Sequence, residues 1–187
     1  MDLSTRRGSL RKSRGTTLIE LIAVLTIVAI LTCIALPSLG PLLARHQLHI
    51  AQTDVIAALQ YARKLAVTTG SRTIVCPTRD GHSCSNETQW NSGWLLGQNQ
   101  LRRDQPDGAP SRIGHGYRQQ INILSTAGRR RVLFQADGSA GGNNITLILC
   151  TPGKSEQVLS VVVSNSGRIR GAHATAEQAE RCAAASL

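Results

Sequence analysis

Residues 18 to 36 form a run of apolar or small uncharged side chains broken by one charge, Glu20. The run is about as long as the roughly 17–25 residues an α-helix needs to span a bilayer. Beyond Pro37 and Gly40-Pro41 the pattern changes to a three-four spacing. Leu48, Ala51, Val55, Ala58, Leu59, Ala62, Leu65 and Ala66 then share one helix face, while Asp54, Gln60, Arg63 and Lys64 fall off it. Gly70 is a natural C-terminal stop. Pro37 cannot donate a backbone N–H, so a bend or local melting is expected there. The pattern predicts one long, bent helix from residue 16 to about 69, roughly 80 Å long at 1.5 Å per residue.

From Ser71 onward the pattern is that of strands. Segments 72–76, 93–96, 120–124, 130–135, 144–151 and 158–163 are short, apolar and rich in β-branched residues, with Gly, Asn, Asp and Pro clusters between them. Residues 136–143 read as a turn, and the polar stretch 98–116 as a mobile loop. No internal repeat is present. The predicted class is α+β, a long helix packed on a small antiparallel sheet, in keeping with 187 residues forming one small domain with an appendage.

Charge sets the orientation of the apolar run. Net charge is +10, and Arg6, Arg7, Arg11, Lys12 and Arg14 crowd the N-terminal side against only Asp2. The positive-inside bias leaves Met1 cytoplasmic and the bulk of the chain outside. A cleaved signal peptide fits poorly, because the core is too long and Pro37-Ser38-Leu39 is a poor small-residue cleavage site. A plain anchor leaves unexplained a carboxylate near the start of the span, where it is expensive in lipid.

Of the five cysteines, Cys33 lies within the apolar run, while Cys76, Cys84, Cys150 and Cys182 follow it. An even set behind a membrane-targeting segment reads as a disulfide framework in an oxidising compartment. The gaps lack the tight pairs of a zinc site, so no metal and no cofactor are expected. The five histidines are scattered and no nucleophile, zinc-protease or phosphate-loop motif occurs, so the chain is read as a non-enzyme.

Candidate binding residues are basic. In Ser166-Gly167-Arg168-Ile169-Arg170-Gly171 two arginines spaced two apart on an extended segment project to one side, where both could reach phosphates along one strand of a duplex. Arg129, Arg130 and Arg131 form a second cluster that either extends the patch or guards a strand edge. Arg102, Arg103, Arg112 and Arg118 lie on or near the 98–116 loop. Aromatic residues are scarce, so nucleic-acid binding would rest on backbone phosphate and not on base stacking.

Gly15-Thr16-Thr17-Leu18-Ile19-Glu20-Leu21 resembles the prepilin cleavage and methylation motif of type IV pilins and type II secretion pseudopilins. The resemblance implies cleavage after Gly15 by a prepilin peptidase and N-methylation of Thr16. It puts Glu20 at the fifth mature position and Pro37 at the twenty-second, both kept by that family. Mature pilins of that kind usually begin with phenylalanine or methionine, whereas the mature chain here would begin with Thr16. Glu20 would compensate the α-amine of a neighbouring subunit and so fix register in the filament.

Downstream, Ile74-Val75-Cys76, Cys84, Trp90, Gly93-Trp94, Phe134 with Asp137-Gly138, Leu149-Cys150, residues 164–170 and Cys182 occur in an order similar to the GspH/FimT family of minor pilins and pseudopilins. The Gly167-Arg168-Ile169-Arg170 segment resembles the DNA-binding tail of the FimT branch, which serves DNA uptake in natural transformation. The resemblance implies a minor pilin with a type IV pilin-like fold. Its partners would be double-stranded DNA, other major and minor pilins, the prepilin peptidase and, before assembly, inner-membrane lipid. It also implies a single-pass stage in the bacterial inner membrane with a periplasmic C-terminal domain, then a place in a pilus. The expected organisation is a cleaved leader at 1–15, a transmembrane and assembly helix at 16–39, an amphipathic helix at 40–70, a sheet domain at 71–170 and a tail at 171–187. The alternative is a structural, GspH-like pseudopilin of type II secretion, or a priming subunit of pilus assembly, without DNA binding. Three pairings of the four exported cysteines are possible. Cys76–Cys84 and Cys150–Cys182 are favoured, the first stapling the loop after a strand and the second tying the tail back to one.

Overall fold

The computed structural model describes residues 17–117, 120–126, 128–142, 144–154 and 156–185, with the side chains of 34–39 also outside the description. Among these residues the order is α1 (Leu18–Thr69), β1 (Thr73–Pro77), β2 (Gly93–Gln98), β3 (Arg112–His115), β4 (Asn122–Ser125), β5 (Val132–Phe134), β6 (Ile145–Cys150), β7 (Val158–Val163), β8 (Ile169–His173) and α2 (Ala176–Ala184). The chain divides into two compact units between Pro41 and Leu42.

In the first unit α1 presents exposed apolar side chains from Leu18 to Leu31. Thr26 and Thr32 satisfy their hydroxyls within the helix: Thr26 Oγ1 donates to Ile22 O at 3.0 Å, and Thr32 Oγ1 to Val28 O at 2.9 Å. Among the described residues no helix is long and apolar enough to cross a membrane. The described side chains of the apolar run stop at Cys33, short of residue 36 where it ends in sequence. α1 continues without interruption through Pro37, Gly40 and Pro41, so of the bend or local melting expected at Pro37 the melting does not occur.

In the second unit the α1 stripe is the spine of the core. Leu48, Ala51, Val55, Ala58, Leu59, Ala62 and Ala66 are buried in one core with residues of both sheets. Leu65 is only partly buried at its margin. The helix ends where expected. Gly70 takes φ +60°, and the Ser71 N–H donates to Ala66 O at 3.1 Å, the six-to-one bond of a Schellman stop.

Two antiparallel sheets follow, where a single small one was expected. Their orders are β3-β2-β1-β5 and β4-β6-β7-β8. The second sheet is covered on both faces. Leu147, Leu149, Leu159, Val161 and Val163 face the α1 core, while Ile148, Cys150 and Val158 pack under Ala179 and Cys182 of α2. Cys76 is bonded to Cys84 and Cys150 to Cys182, and the second bond clamps α2 onto β6.

Three elements depart from the sequence expectations. The 98–116 stretch contains β3 and is otherwise tied down: Asn99 Nδ2 donates to Arg103 O and Gln105 O, each at 2.7 Å. β3 is an edge strand with one large apolar residue, and Trp94 lies so close over Gly114 that a Cβ there would fall 2.0 Å from its ring. The boundary between residues 170 and 171 falls inside β8. The expected tail includes α2, opened by a capping box in which Gln178 N–H donates to Thr175 Oγ1 and Thr175 N–H to Gln178 Oε1.

Candidate functional site

Arg168 and Arg170 stand at the root of the β7–β8 hairpin. Ser164 N–H donates to Arg168 O at 3.0 Å, and Gly167 N–H donates to Ser164 O at 2.8 Å. Gly167 takes φ +77°, as expected of the last residue of a three-residue hairpin loop. Arg168 and Arg170 are exposed, and Ile169 between them packs on the core. The period-two alternation of a strand thus anchors the segment by its apolar residue and gives both arginines to solvent.

The hairpin turn is pressed against a second turn. Gln135 N–H donates to Ser139 O and Gly138 N–H to Gln135 O, both at 2.8 Å. Ala140 N–H reaches across to Asn165 O at 2.9 Å. The Asp137 carboxylate is exposed and lies in this second turn, accepting the Ser139 N–H at 2.8 Å. That donation holds its carboxyl below the ordinary range.

Sequence reasoning missed two cations beside Arg168. Arg63 of α1 donates its Nε–H to Gly138 O at 2.9 Å. Arg63, Lys64, Thr68, Arg168 and Ile169 line one open cleft of about 470 Å³. The sequence marked Arg63 and Lys64 only as residues off the buried stripe, and no spacing rule relates them to a hairpin a hundred residues away.

The arginine triplet before β5 is divided. Arg129 borders a groove of about 560 Å³ with Thr126, Thr146, Val162, Asn165 and Ser166, none of which lines the Arg63 cleft. Arg130 is exposed. Arg131 forms an ion pair with Asp104, and the guanidinium holds that carboxyl below its ordinary value. Arg131 is therefore engaged with the 99–111 loop. Arg102 and Arg103 are exposed on that loop, Arg112 stacks over the Tyr61 ring at 5.7 Å, and Arg118 lies outside the described residues.

Of the N-terminal motif, Gly15 and Thr16 lie outside the described residues, as does the side chain of Pro37. Glu20 is exposed, and its N–H donates to Thr17 Oγ1 at 3.3 Å, which makes Thr17 the cap of α1 and puts Glu20 three residues in. A carboxylate there is also favourable to the positive end of the helix dipole. Cys33 is an exposed free thiol. Among the described residues no group of three or more His, Cys, Asp or Glu side chains is placed to hold a metal ion.

A family model described as type II transport protein GspH matches residues 51–167. The match ends at Gly167 and leaves Arg168 and Arg170 outside it. Among solved structures, the chain is similar to two crystal structures of the type IV minor pilin FimU of Pseudomonas aeruginosa. The first gives a TM-score of 0.56 at 22% identity and covers 71% of this chain and 92% of that one. The second gives 0.54 at 22% identity, covering 66% and 91%. At this identity the likeness is one of fold. No curated protein sequence matches the chain.

Proposed function

The chain belongs to the family of type II transport protein GspH, the minor pilins and pseudopilins, and from that premise we propose that it is a minor type IV pilin that binds double-stranded DNA for uptake. Arg168 and Arg170 contact backbone phosphates, without sequence preference. The observation that carries this reading is the pair itself. Both guanidinium groups are exposed at one hairpin root, and among the described residues neither forms an ion pair. Arg129 borders a groove with Asn165 and Ser166 of the hairpin turn, whereas Arg131 is paired with Asp104.

Assembly follows the N-terminal motif. The prepilin peptidase cleaves after Gly15, Thr16 is methylated, and the apolar run from residue 18 to 36 holds the subunit in the inner membrane before extraction. The exposed apolar side chains from Leu18 to Leu31 support such a lipid-facing stage followed by packing among other pilins.

A single subunit making a few phosphate contacts binds weakly, on the order of 10⁻⁴–10⁻⁶ M, and several subunits raise avidity. The test in cells is transformation by a strain carrying Arg168→Ala/Arg170→Ala. The expected result is abolished DNA uptake with pili still assembled. Uptake at the parental level would remove the arginines from the function.

The second reading is a structural pseudopilin, or a subunit that primes filament assembly. It is favoured by the family match, which ends before the two arginines. It predicts that filament assembly or secretion fails when the subunit is deleted, while the arginine variant behaves as the parent.

A further inference from the structure

We propose that Arg63 and Lys64 of α1 join Arg168 in a discrete phosphate-binding cleft, so that the core helix takes part in holding the DNA backbone. This deepens the DNA-binding reading and rests on it for the identity of the polyanion. Three cationic side chains from two elements line the one cleft, together with Gln60, Thr68 and Ile169. It has no acidic side chain in its lining, and among the described residues Arg63, Lys64 and Arg168 form no ion pair. Convergent like charges repel one another, and an anion placed among them removes that repulsion.

Arg63 is held in place for such a ligand. Its Nε–H is fixed on Gly138 O at 2.9 Å. The chain around it is glycine: a Cβ at either Gly138 or Gly167 would come 3.2 Å from Nε. Anchoring Nε restrains the planar group and leaves both terminal nitrogens to donate. That fork matches two phosphate oxygens at once. Less conformational freedom is then given up on binding than for an unrestrained surface arginine. Lys64 adds a compact charge beside it, and Arg168 closes the cleft from the hairpin. Arg170, two residues further along β8, is left for the next phosphate of the same strand.

The experiment uses the full-length chain in neutral-detergent micelles and a 30-base-pair duplex of mixed sequence, titrated by fluorescence polarisation over a salt series. Removing one cation–phosphate interaction lowers the slope of log K against log salt by about 0.9. Arg63→Gln/Lys64→Gln is expected to lower the slope by nearly two such steps and to weaken binding about tenfold or more at low salt. Thermal unfolding of the same variant controls for folding, and Lys64→Gln alone, at an exposed position, is expected to lower it by one step. Wild-type slope and affinity in these variants, with binding abolished in Arg168→Ala/Arg170→Ala, would overturn the cleft and leave the DNA-binding reading standing.

A second readout decides the cleft if wild-type protein binds no DNA and that reading fails. Inorganic tripolyphosphate is titrated while the side-chain Nε–Hε signals of ¹⁵N-arginine are followed. Saturable shifts of the Arg63 and Arg168 signals support a phosphate site. Unmoved signals overturn it. Shifts with polyglutamate but not with tripolyphosphate also overturn it and assign the cleft to an acidic protein partner.

Discussion

Gly167 lies directly on the carbonyl oxygen of Gly138, where a Cβ would fall 1.9 Å from that oxygen. This close approach locks the β7–β8 turn to the 135–139 turn and places Arg168 beside Arg63. Gly167→Ala is therefore expected to destabilise the second unit. The positive φ alone costs about 1–3 kcal/mol, and the Gly138 turn must also move. Thermal unfolding should show a melting point several degrees lower, at about 2–4 °C per kcal/mol for a chain of this size. An unchanged melting point would show that the two turns are not held together as described.

The disulfides predict a thiol count. With Cys76 joined to Cys84 and Cys150 to Cys182, the denatured but unreduced protein should titrate as one thiol, Cys33. Replacing both Cys150 and Cys182 by serine removes the clamp on α2 and is expected to cost about 2–5 kcal/mol. Peptide mapping that joined Cys76 to Cys150 would contradict the pairing.

Much of this architecture is legible along the chain, and β3, β8 and the Arg63–Arg168 grouping escape it because tertiary contacts set them. The α1 stripe could be read because its spacing is regular over five turns and Gly70 ends it. β3 and β8 are edge strands with few apolar residues. β3 is set by pairing with β2 and by the fit of Gly114 under Trp94, both tertiary facts. β8 reads as a charged segment because Ile169 is its one large apolar residue, and Gly171 on the same face lies against Gln52 and Ile56 of α1. α2 did carry a readable signal, Thr175 followed three residues later by Gln178 ahead of Ala179 and Cys182. The grouping of Arg63 and Lys64 with Arg168 depends on how the hairpin docks on α1, which no local pattern encodes.

Tyr117 donates its hydroxyl to Asp54 Oδ2 at 2.6 Å and ties the segment after β3 to α1. Burial first, then this bond and the Asp54 charge, push the phenol well above its usual value near 10. A raised folded value means that its stabilisation is complete below about pH 10 and fades as pH rises beyond that point. Tyr117→Phe should be less stable than the parent at neutral pH by about 1 kcal/mol. The difference should shrink in denaturation curves taken above pH 10. A constant difference across that range would rule out the proposed linkage.

Glu20→Ala tests the registry role of the carboxylate. Cleavage after Gly15 should proceed, because the substitution lies beyond the scissile bond, while incorporation into filaments should fall. Immunoblotting of the membrane and sheared-filament fractions separates the two steps. Normal incorporation would reduce Glu20 to a favourable residue of the first helical turn.

The hairpin arginines are proposed to bind DNA phosphate. The most direct test is a polarisation titration of full-length protein with duplex DNA at two salt concentrations, wild type beside Arg168→Ala/Arg170→Ala. Weak wild-type binding is expected, falling as salt rises and disappearing in the double variant. Absence of wild-type binding up to high micromolar protein, where contacts of this kind should register, would contradict the proposal and favour the structural pseudopilin.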